Sequence, residues 1–76
     1  MNDKNRTVAD VLPPILARWR HDPTALVQIL REVQEQLDWI SPEAINAIEA
    51  ALKLPRSKIE GVAGFYSFFY TQPRGR

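Results

Sequence analysis

The fold is decided by one amphipathic stretch, Leu26-Val-Gln-Ile-Leu-Arg-Glu-Val-Gln-Glu-Gln-Leu37. Its apolar residues recur three and four positions apart, and polar or charged residues fill most of the positions between them. The apolar stripe consists of Leu26, Ile29, Leu30, Val33 and Leu37. This spacing is typical of an α-helix that buries one face and leaves the other in water, so the stretch predicts such a helix.

The residues on either side of this stretch indicate where the predicted helix begins and ends. Asp22 can accept hydrogen bonds from the backbone amides of the first turn, and Pro23 suits the first helical position. Asp38 is expected to end the helix in the left-handed conformation, which Asp tolerates better than most residues other than Gly. The sequence therefore predicts a helix over residues 23–37.

A second apolar stripe precedes this helix, and two consecutive prolines interrupt it. The stripe consists of Val8, Val11, Leu12, Ile15, Leu16 and Trp19. Pro13 and Pro14 lack the backbone donor that an inner helical position uses, and their rings clash with the preceding turn. We therefore expect a turn over residues 8–12 and a short helix over residues 13–20, with one kinked helix as the alternative.

Two more helices are predicted after residue 40. Ser41 is a favoured N-terminal cap and predicts a helix over residues 42–52. The break Lys53-Leu54-Pro55 ends that helix, and apolar spacing resumes in a fourth helix over residues 56–63, with Gly64 at its end. The predicted fold class is therefore all-α, a small bundle of about four short helices.

Composition restricts the function further. The chain has 76 residues, no cysteine, and a net charge of +1 from 10 basic and 9 acidic residues. The absence of cysteine excludes disulfides, thiolate metal sites and a cysteine nucleophile. The low net charge does not favour nucleic acid or an anionic membrane as a partner. No apolar run is long enough to span a membrane, so we expect a soluble, cytoplasmic domain with no direct membrane insertion.

Candidate catalytic residues have simpler structural interpretations. His21 is the single histidine of the chain, and it lies in a predicted turn with no nucleophile or second ligand near it in sequence. Glu32 and Glu35 fall on the polar face of the amphipathic helix, where a solvated carboxylate is the ordinary outcome. Gly61 and Gly64 are too close together for a phosphate-binding loop. We therefore predict no catalytic, cofactor-binding or metal-binding residue in this sequence, and an enzymatic role for it stays open.

Residues 44–66 also have the outline of a DNA-binding helix-turn-helix motif, which gives an alternative function as a small DNA-binding regulator. In that interpretation Arg56, Ser57, Lys58 and Glu60 face the groove of the DNA. The charge opposes it, because Glu60 offsets two basic residues on the same short helix.

Five of the seven aromatic residues are concentrated near the C-terminal end of the sequence. They are Phe65, Tyr66, Phe68, Phe69 and Tyr70. Large rings are normally distributed through a core, where each buries a large apolar area. This run is therefore either part of the bundle core or a surface for something that these 76 residues do not contain.

Three adjoining segments resemble the N-terminal helical domain of the thioredoxin-like 2Fe-2S ferredoxin subunit family. That family occurs in respiratory complex I, NAD(P)-linked hydrogenases and NAD-dependent formate dehydrogenases. The first two segments are residues 26–40 and the helix-turn from Ser41-Pro-Glu-Ala44 to Leu52-Lys-Leu-Pro55. The third, Lys58-Ile-Glu-Gly-Val-Ala-Gly-Phe-Tyr-Ser-Phe-Phe69, is similar to the family's valine-alanine-threonine-phenylalanine-tyrosine stretch, and Pro73-Arg-Gly75 to the proline-x-glycine after it. Two departures are Asp38, where the family usually has glycine, and Gly64, where it usually has threonine.

The resemblance implies a non-catalytic role beside redox cofactors. In the family a 2Fe-2S cluster is held by cysteines of a thioredoxin-like domain downstream, and FMN and NAD belong to a partner subunit. We therefore expect no cofactor on this sequence. The resemblance leaves open whether the chain is a truncated helical domain or a relative that lacks the cluster domain, and which substrate, formate, hydrogen or NADH, the complex oxidises.

From the resemblance we expect three regions: a flexible N-terminus over residues 1–7, the bundle over 8–70, and a linker over 71–76 that leads to a following thioredoxin-like domain. The chain is expected to dock the 2Fe-2S domain against the flavin- and NAD-binding subunit. The expected interface consists of Phe65, Tyr66, Phe68, Phe69 and Tyr70. Among these, Phe65 and Tyr66 are expected to be mainly core, and Phe68, Phe69 and Tyr70 to be more exposed.

Overall fold

The computed structural model describes residues 7–66 and 68–72, and in that part of the chain four α-helices follow one another. They are α1 (Val8–Arg18), α2 (Leu26–Leu37), α3 (Pro42–Leu52) and α4 (Arg56–Phe65). No strand occurs among the described residues, and the prediction of a small all-α bundle is confirmed. Residues 1–6 of the N-terminus that was expected to be flexible over 1–7, and residues 73–76 of the expected linker over 71–76, with its proline-x-glycine segment, lie outside the described residues.

The first helix begins at a capping box. The Thr7 hydroxyl accepts a hydrogen bond from the backbone amide of Asp10 (3.3 Å), and the Asp10 carboxylate accepts one from the amide of Thr7 (3.2 Å). Two amides of the first turn, which have no partner within a helix, are satisfied in this way. The helix then continues without a break to Arg18.

The expectation of a turn followed by a separate helix was therefore wrong, and one helix forms through Pro13 and Pro14. Both prolines lie on the exposed side of α1, and the apolar stripe from Val8 to Leu16 is buried. Prolines at these positions remove two hydrogen bonds, and the residues whose carbonyls would accept them, Ala9 and Asp10, are exposed. Burial of the stripe on the opposite side keeps the segment helical.

The start of α2 lies three residues later than the sequence predicted. Asp22 accepts hydrogen bonds from the Thr24 hydroxyl (2.8 Å) and the Thr24 amide (2.9 Å), and these two bonds lower the pKa of the Asp22 carboxyl. This cap starts a 3-10 turn, Pro23–Ala25, and the α-helix begins after it. The predicted end is confirmed, because Asp38 is left-handed with a φ of 74°.

The third helix has the predicted cap and bounds, and the fourth is longer than predicted. The Ser41 hydroxyl accepts a hydrogen bond from the amide of Ala44 (3.1 Å), and α3 has the predicted bounds. The fourth helix does not end at Gly64 as expected but continues to Phe65. Tyr66 then leaves the helix with extended backbone angles, φ −95° and ψ 119°.

The core is aliphatic and receives side chains from all four helices. Its fully buried large residues are Ile15, Ile29, Leu30, Val33, Ile40, Ile48 and Ile59. The helix α1 packs against α2 and α3, and α4 packs against the same two helices. At the rim, the indole nitrogen of Trp19 donates to the Glu32 carboxylate (2.8 Å) and joins the end of α1 to α2. No polar or charged side chain is buried among the described residues.

The left-handed Asp38 gives the first testable prediction. Asp38→Gly should raise the free energy of unfolding by about 0.5–1 kcal/mol, because glycine has no Cβ to strain in the left-handed region. Urea denaturation of this variant and of Asp38→Ala, which keeps a Cβ, measures the effect. A stabilisation by alanine as large as that by glycine would contradict this account.

Candidate partner-binding surface

The aromatic residues near the end of α4 separate into exposed and buried rings. Phe65 is 80% exposed, Phe68 47% and Tyr70 42%, and Phe69 is only 7% exposed. Tyr66 is half-buried and packs against the core, as expected. We call the three exposed residues, Phe65, Phe68 and Tyr70, the ring surface.

The expectation that Phe65 belongs to the core was wrong, and the geometry of α4 gives the reason. The side of this helix that faces the core carries Ile59 and Ala63, and Tyr66 continues the same spacing. Successive residues of an α-helix are rotated by about 100°, so Phe65 lies roughly 200° around the axis from Ala63. The helical stripe of α4 already contained the signal that Phe65 faces outward.

The expectation that Phe69 is exposed was also wrong. The chain turns after α4, where the amide of Phe69 donates to the carbonyl of Tyr66 (3.1 Å), and the Phe69 ring enters the hydrophobic core. The amide of Ile40 then donates to the carbonyl of Tyr70 (2.7 Å). Because the chain is no longer helical here, the spacing of a helical face does not describe which ring is buried.

A polar residue that the sequence did not single out holds this segment in place. The Gln34 side-chain amide donates to the carbonyl of Phe68 (2.6 Å), and its carbonyl oxygen accepts from the amide of Tyr70 (2.6 Å). We call Phe68, Phe69 and Tyr70 the strap. A glutamine beside an apolar helical stripe carries no sequence signal for such contacts, so only the fold identifies Gln34.

The rings contact one another around Tyr66. The centroid of Tyr66 lies 5.3 Å from that of Phe65, 5.4 Å from that of Phe68 and 6.0 Å from that of Phe69. Phe68 and Phe69 are 4.6 Å apart. Such distances are typical of stabilising aromatic pairs. Tyr66 therefore links Phe65 at the end of α4 to the strap.

An open groove of about 380 Å³ lies beside these rings, between α2 and α4. It is lined by Val27, Ser57, Lys58, Gly61, Val62, Phe65 and Tyr66. Among the described residues Lys58 has no ion-pair partner, because the two ion pairs join Arg18 to Glu32 and Arg56 to Glu60. The surface around Phe65 is thus apolar with one unpaired positive charge.

The structure also places the other residues that the sequence raised as candidates. His21 is exposed in the turn after α1. No group of three His, Cys, Asp or Glu side chains that could hold a metal occurs in the described part of the chain. Arg56 is held by Glu60 (2.8 Å) and by Asn46. Among the described residues, none of the helices is both long enough and apolar enough to cross a membrane.

The different burial of two phenylalanines gives a second prediction. Phe69→Ala should lower the free energy of unfolding by about 3–5 kcal/mol, because it leaves a cavity in the core. Phe65→Ala should change it by less than about 0.5 kcal/mol, because its ring is exposed. Chemical denaturation of the two variants measures the contrast. Equal losses for the two would be inconsistent with the burial described above.

Comparison with known proteins places this surface within a family. A model of the thioredoxin-like 2Fe-2S ferredoxin family matches residues 12–76. The match includes α2, α3, α4 and the strap. It begins inside α1, so most of the bundle and all of the ring surface belong to the matched region.

Several curated proteins, each named as one subunit of an NADH-quinone oxidoreductase, are similar to the chain. Those of Escherichia coli K12 and Pseudomonas aeruginosa are each 46% identical over 56 residues, which cover 72% of this chain and 34% of the relative. That of Buchnera aphidicola subsp. Baizongia pistaciae is 39% identical over 62 residues, 82% of this chain and 36% of the relative.

The chain thus spans about a third of the length of the curated relatives that it matches. The resemblance noted in the sequence is confirmed by a match that extends over most of the chain. The chain belongs to the thioredoxin-like 2Fe-2S ferredoxin family.

Proposed function

We propose that this chain is the non-catalytic helical part of an electron-transfer subunit in an NAD(P)-linked oxidoreductase complex, of the NADH dehydrogenase, hydrogenase or formate dehydrogenase type. In this role it docks a 2Fe-2S domain against the flavin-binding subunit. The observation that carries the proposal is the ring surface of Phe65, Phe68 and Tyr70, which lies in the region matched by the family.

The ring surface supports a docking role because the bundle buries a core without these three rings. Phe65 is a large apolar side chain exposed over four-fifths of its area, and Phe68 over almost half. Neighbouring exposed rings are unfavourable in water unless another surface covers them. Aromatic side chains are also enriched among the residues that contribute most to protein–protein affinity.

The proposal assigns the redox chemistry to other parts of the complex. The 2Fe-2S cluster belongs to a thioredoxin-like domain that follows this helical region, and FMN and NAD belong to the flavin subunit. The family match supports the 2Fe-2S part of this division, and the names of the relatives support an NADH-linked complex. The ring surface and the groove beside it then contribute contact area and alignment, so that electrons pass between cofactors that neighbouring parts hold.

Binding to the flavin subunit tests the proposal and is the third prediction. The double variant Phe65→Ser/Phe68→Ser should weaken the affinity of this chain for the purified flavin-binding subunit of the same complex by at least about tenfold, since anchors of this kind are worth about 2 kcal/mol or more. Isothermal titration calorimetry measures the effect. The matched control is Ala17→Ser, an exposed position on α1 that lies outside the ring surface.

Two results would contradict the proposal: no binding of the wild-type chain to the flavin subunit, or equal affinity of the wild type and the double variant for that subunit. Chemical denaturation of each variant accompanies the titration. A variant whose free energy of unfolding is unchanged can lose affinity only through its surface.

The alternative of a DNA-binding regulator is weakened by the contacts of Arg56. A recognition helix presents such a residue to bases or phosphates, but here Glu60 and Asn46 hold the guanidinium. A salt titration with duplex DNA separates the two functions, because a DNA reader loses affinity steeply as salt rises. Tight and steeply salt-dependent binding would favour the DNA-binding role.

A further inference from the structure

We propose that Gln34 is the positioning residue of the partner-binding surface: its side chain clamps the strap so that Phe68 and Tyr70 face outward. The inference rests on the proposed function in so far as these rings meet the flavin subunit. The clamp itself is a property of this chain alone, so it can be tested without the partner.

The clamp consists of two hydrogen bonds from one planar amide. Gln34 lies on α2, and its side chain reaches the carbonyl of Phe68 and the amide of Tyr70, both at 2.6 Å. The two bonds have opposite polarity, donor to carbonyl and acceptor from amide. A glutamine side chain has one donor group and one acceptor group in fixed relation, so it matches this pair of backbone groups.

The two clamped groups flank Phe69, and this position decides which rings face outward. The Phe68 carbonyl and the Tyr70 amide belong to the two peptide groups on either side of the Phe69 Cα, so fixing both groups fixes the direction of the Phe69 side chain. Phe69 points into the core and is 7% exposed, and its neighbours Phe68 and Tyr70 are 47% and 42% exposed. Fixing the backbone on both sides of Phe69 therefore keeps its ring buried and leaves the rings of Phe68 and Tyr70 exposed.

Other contacts also hold the strap on the bundle. The Ile40 amide donates one backbone bond to Tyr70, and the Phe69 ring is buried, but Phe68 and Phe69 carry the same ring. The hydrophobic effect acts on apolar area and does not distinguish two phenylalanines. The short chain from α4 and the two bonds of Gln34 together fix the strap so that Phe69, not Phe68, is buried.

Replacement of Gln34 tests the clamp in the 76-residue chain. Gln34→Leu removes both bonds, and the docked strap is followed by hydrogen exchange of the Ile40 amide, which is bonded to Tyr70. We expect the protection of Ile40 to fall by at least about tenfold, because each bond contributes about a factor of five to ten. The protection of the Ile48 amide, which lies in α3, should fall by a several-fold smaller factor.

In the variant Gln34→Glu the two bonds should be lost at high pH and restored at low pH. Recovery of the Ile40 protection at low pH is specific for a side chain that both donates and accepts. Above the carboxyl pKa the ionised side chain cannot donate to the Phe68 carbonyl, so protection of Ile40 should fall. Below the pKa, which for an unperturbed glutamate is about 4.3, the neutral acid again has one donor and one acceptor and should restore most of the protection. The wild type at each pH is the reference, and Gln28→Glu, an exposed position on the same helix, is the control for charge.

The results separate this inference from the proposed function. Unchanged Ile40 protection in Gln34→Leu, an equal loss at Ile48, or no rescue of Gln34→Glu at low pH overturns the clamp. If the clamp holds, Gln34→Leu should bind the flavin subunit more weakly by the factor by which the docked fraction, calculated from the Ile40 protection, falls, because only the docked fraction is competent. A loss of affinity that departs from this factor overturns the positioning role, and failure of the Phe65→Ser/Phe68→Ser test overturns the proposed function alone.

Discussion

The structure depends on the packing of α2 against the other helices. Ile29, Leu30 and Val33 on this helix are completely buried, and α1 and α4 both lie against it. Burial of apolar area is the main favourable term in folding, and a domain of this size has little of it in reserve. The same helix also carries Glu32, which bonds Trp19 of α1, and Gln34, which bonds the strap. The helix α2 therefore contributes both to the apolar core and to the polar contacts that hold α1 and the strap.

Prediction from the sequence succeeded where local chemistry decides the outcome. The hydroxyl of Ser41 and the left-handed Asp38 fix the ends of helices through contacts within a few residues, and both were identified correctly. The apolar stripes identified the buried faces of α1 and α2 for the same reason. Periodicity is a property of the segment itself and needs no knowledge of its neighbours.

Prediction failed where the structure is determined by contacts between residues that are distant in sequence. Pro13 and Pro14 favour a break locally, but burial of the surrounding stripe keeps α1 continuous. Phe69 is buried because the chain turns back after α4 and meets Gln34 and Ile40, which are about thirty residues earlier. Phe65 is a different case. Once α4 is extended from residue 63 to residue 65, the helical spacing alone places the Phe65 side chain on the exposed face. The burial of the individual rings was therefore predicted only in part, with Phe65 and Phe69 exchanged between inside and outside, and the role of the run as an interface stays a prediction.

The wholly apolar core has a consequence for how the molecule responds to protons. Among the described residues no polar or charged side chain is buried, and Asp22, whose pKa is lowered by its hydrogen bonds to Thr24, is an exposed cap on a turn. A buried ionisable group would couple the packing of the core to its own protonation. In the described part of the chain a change in pH therefore acts on groups at the surface of the bundle and not on the packing of its core.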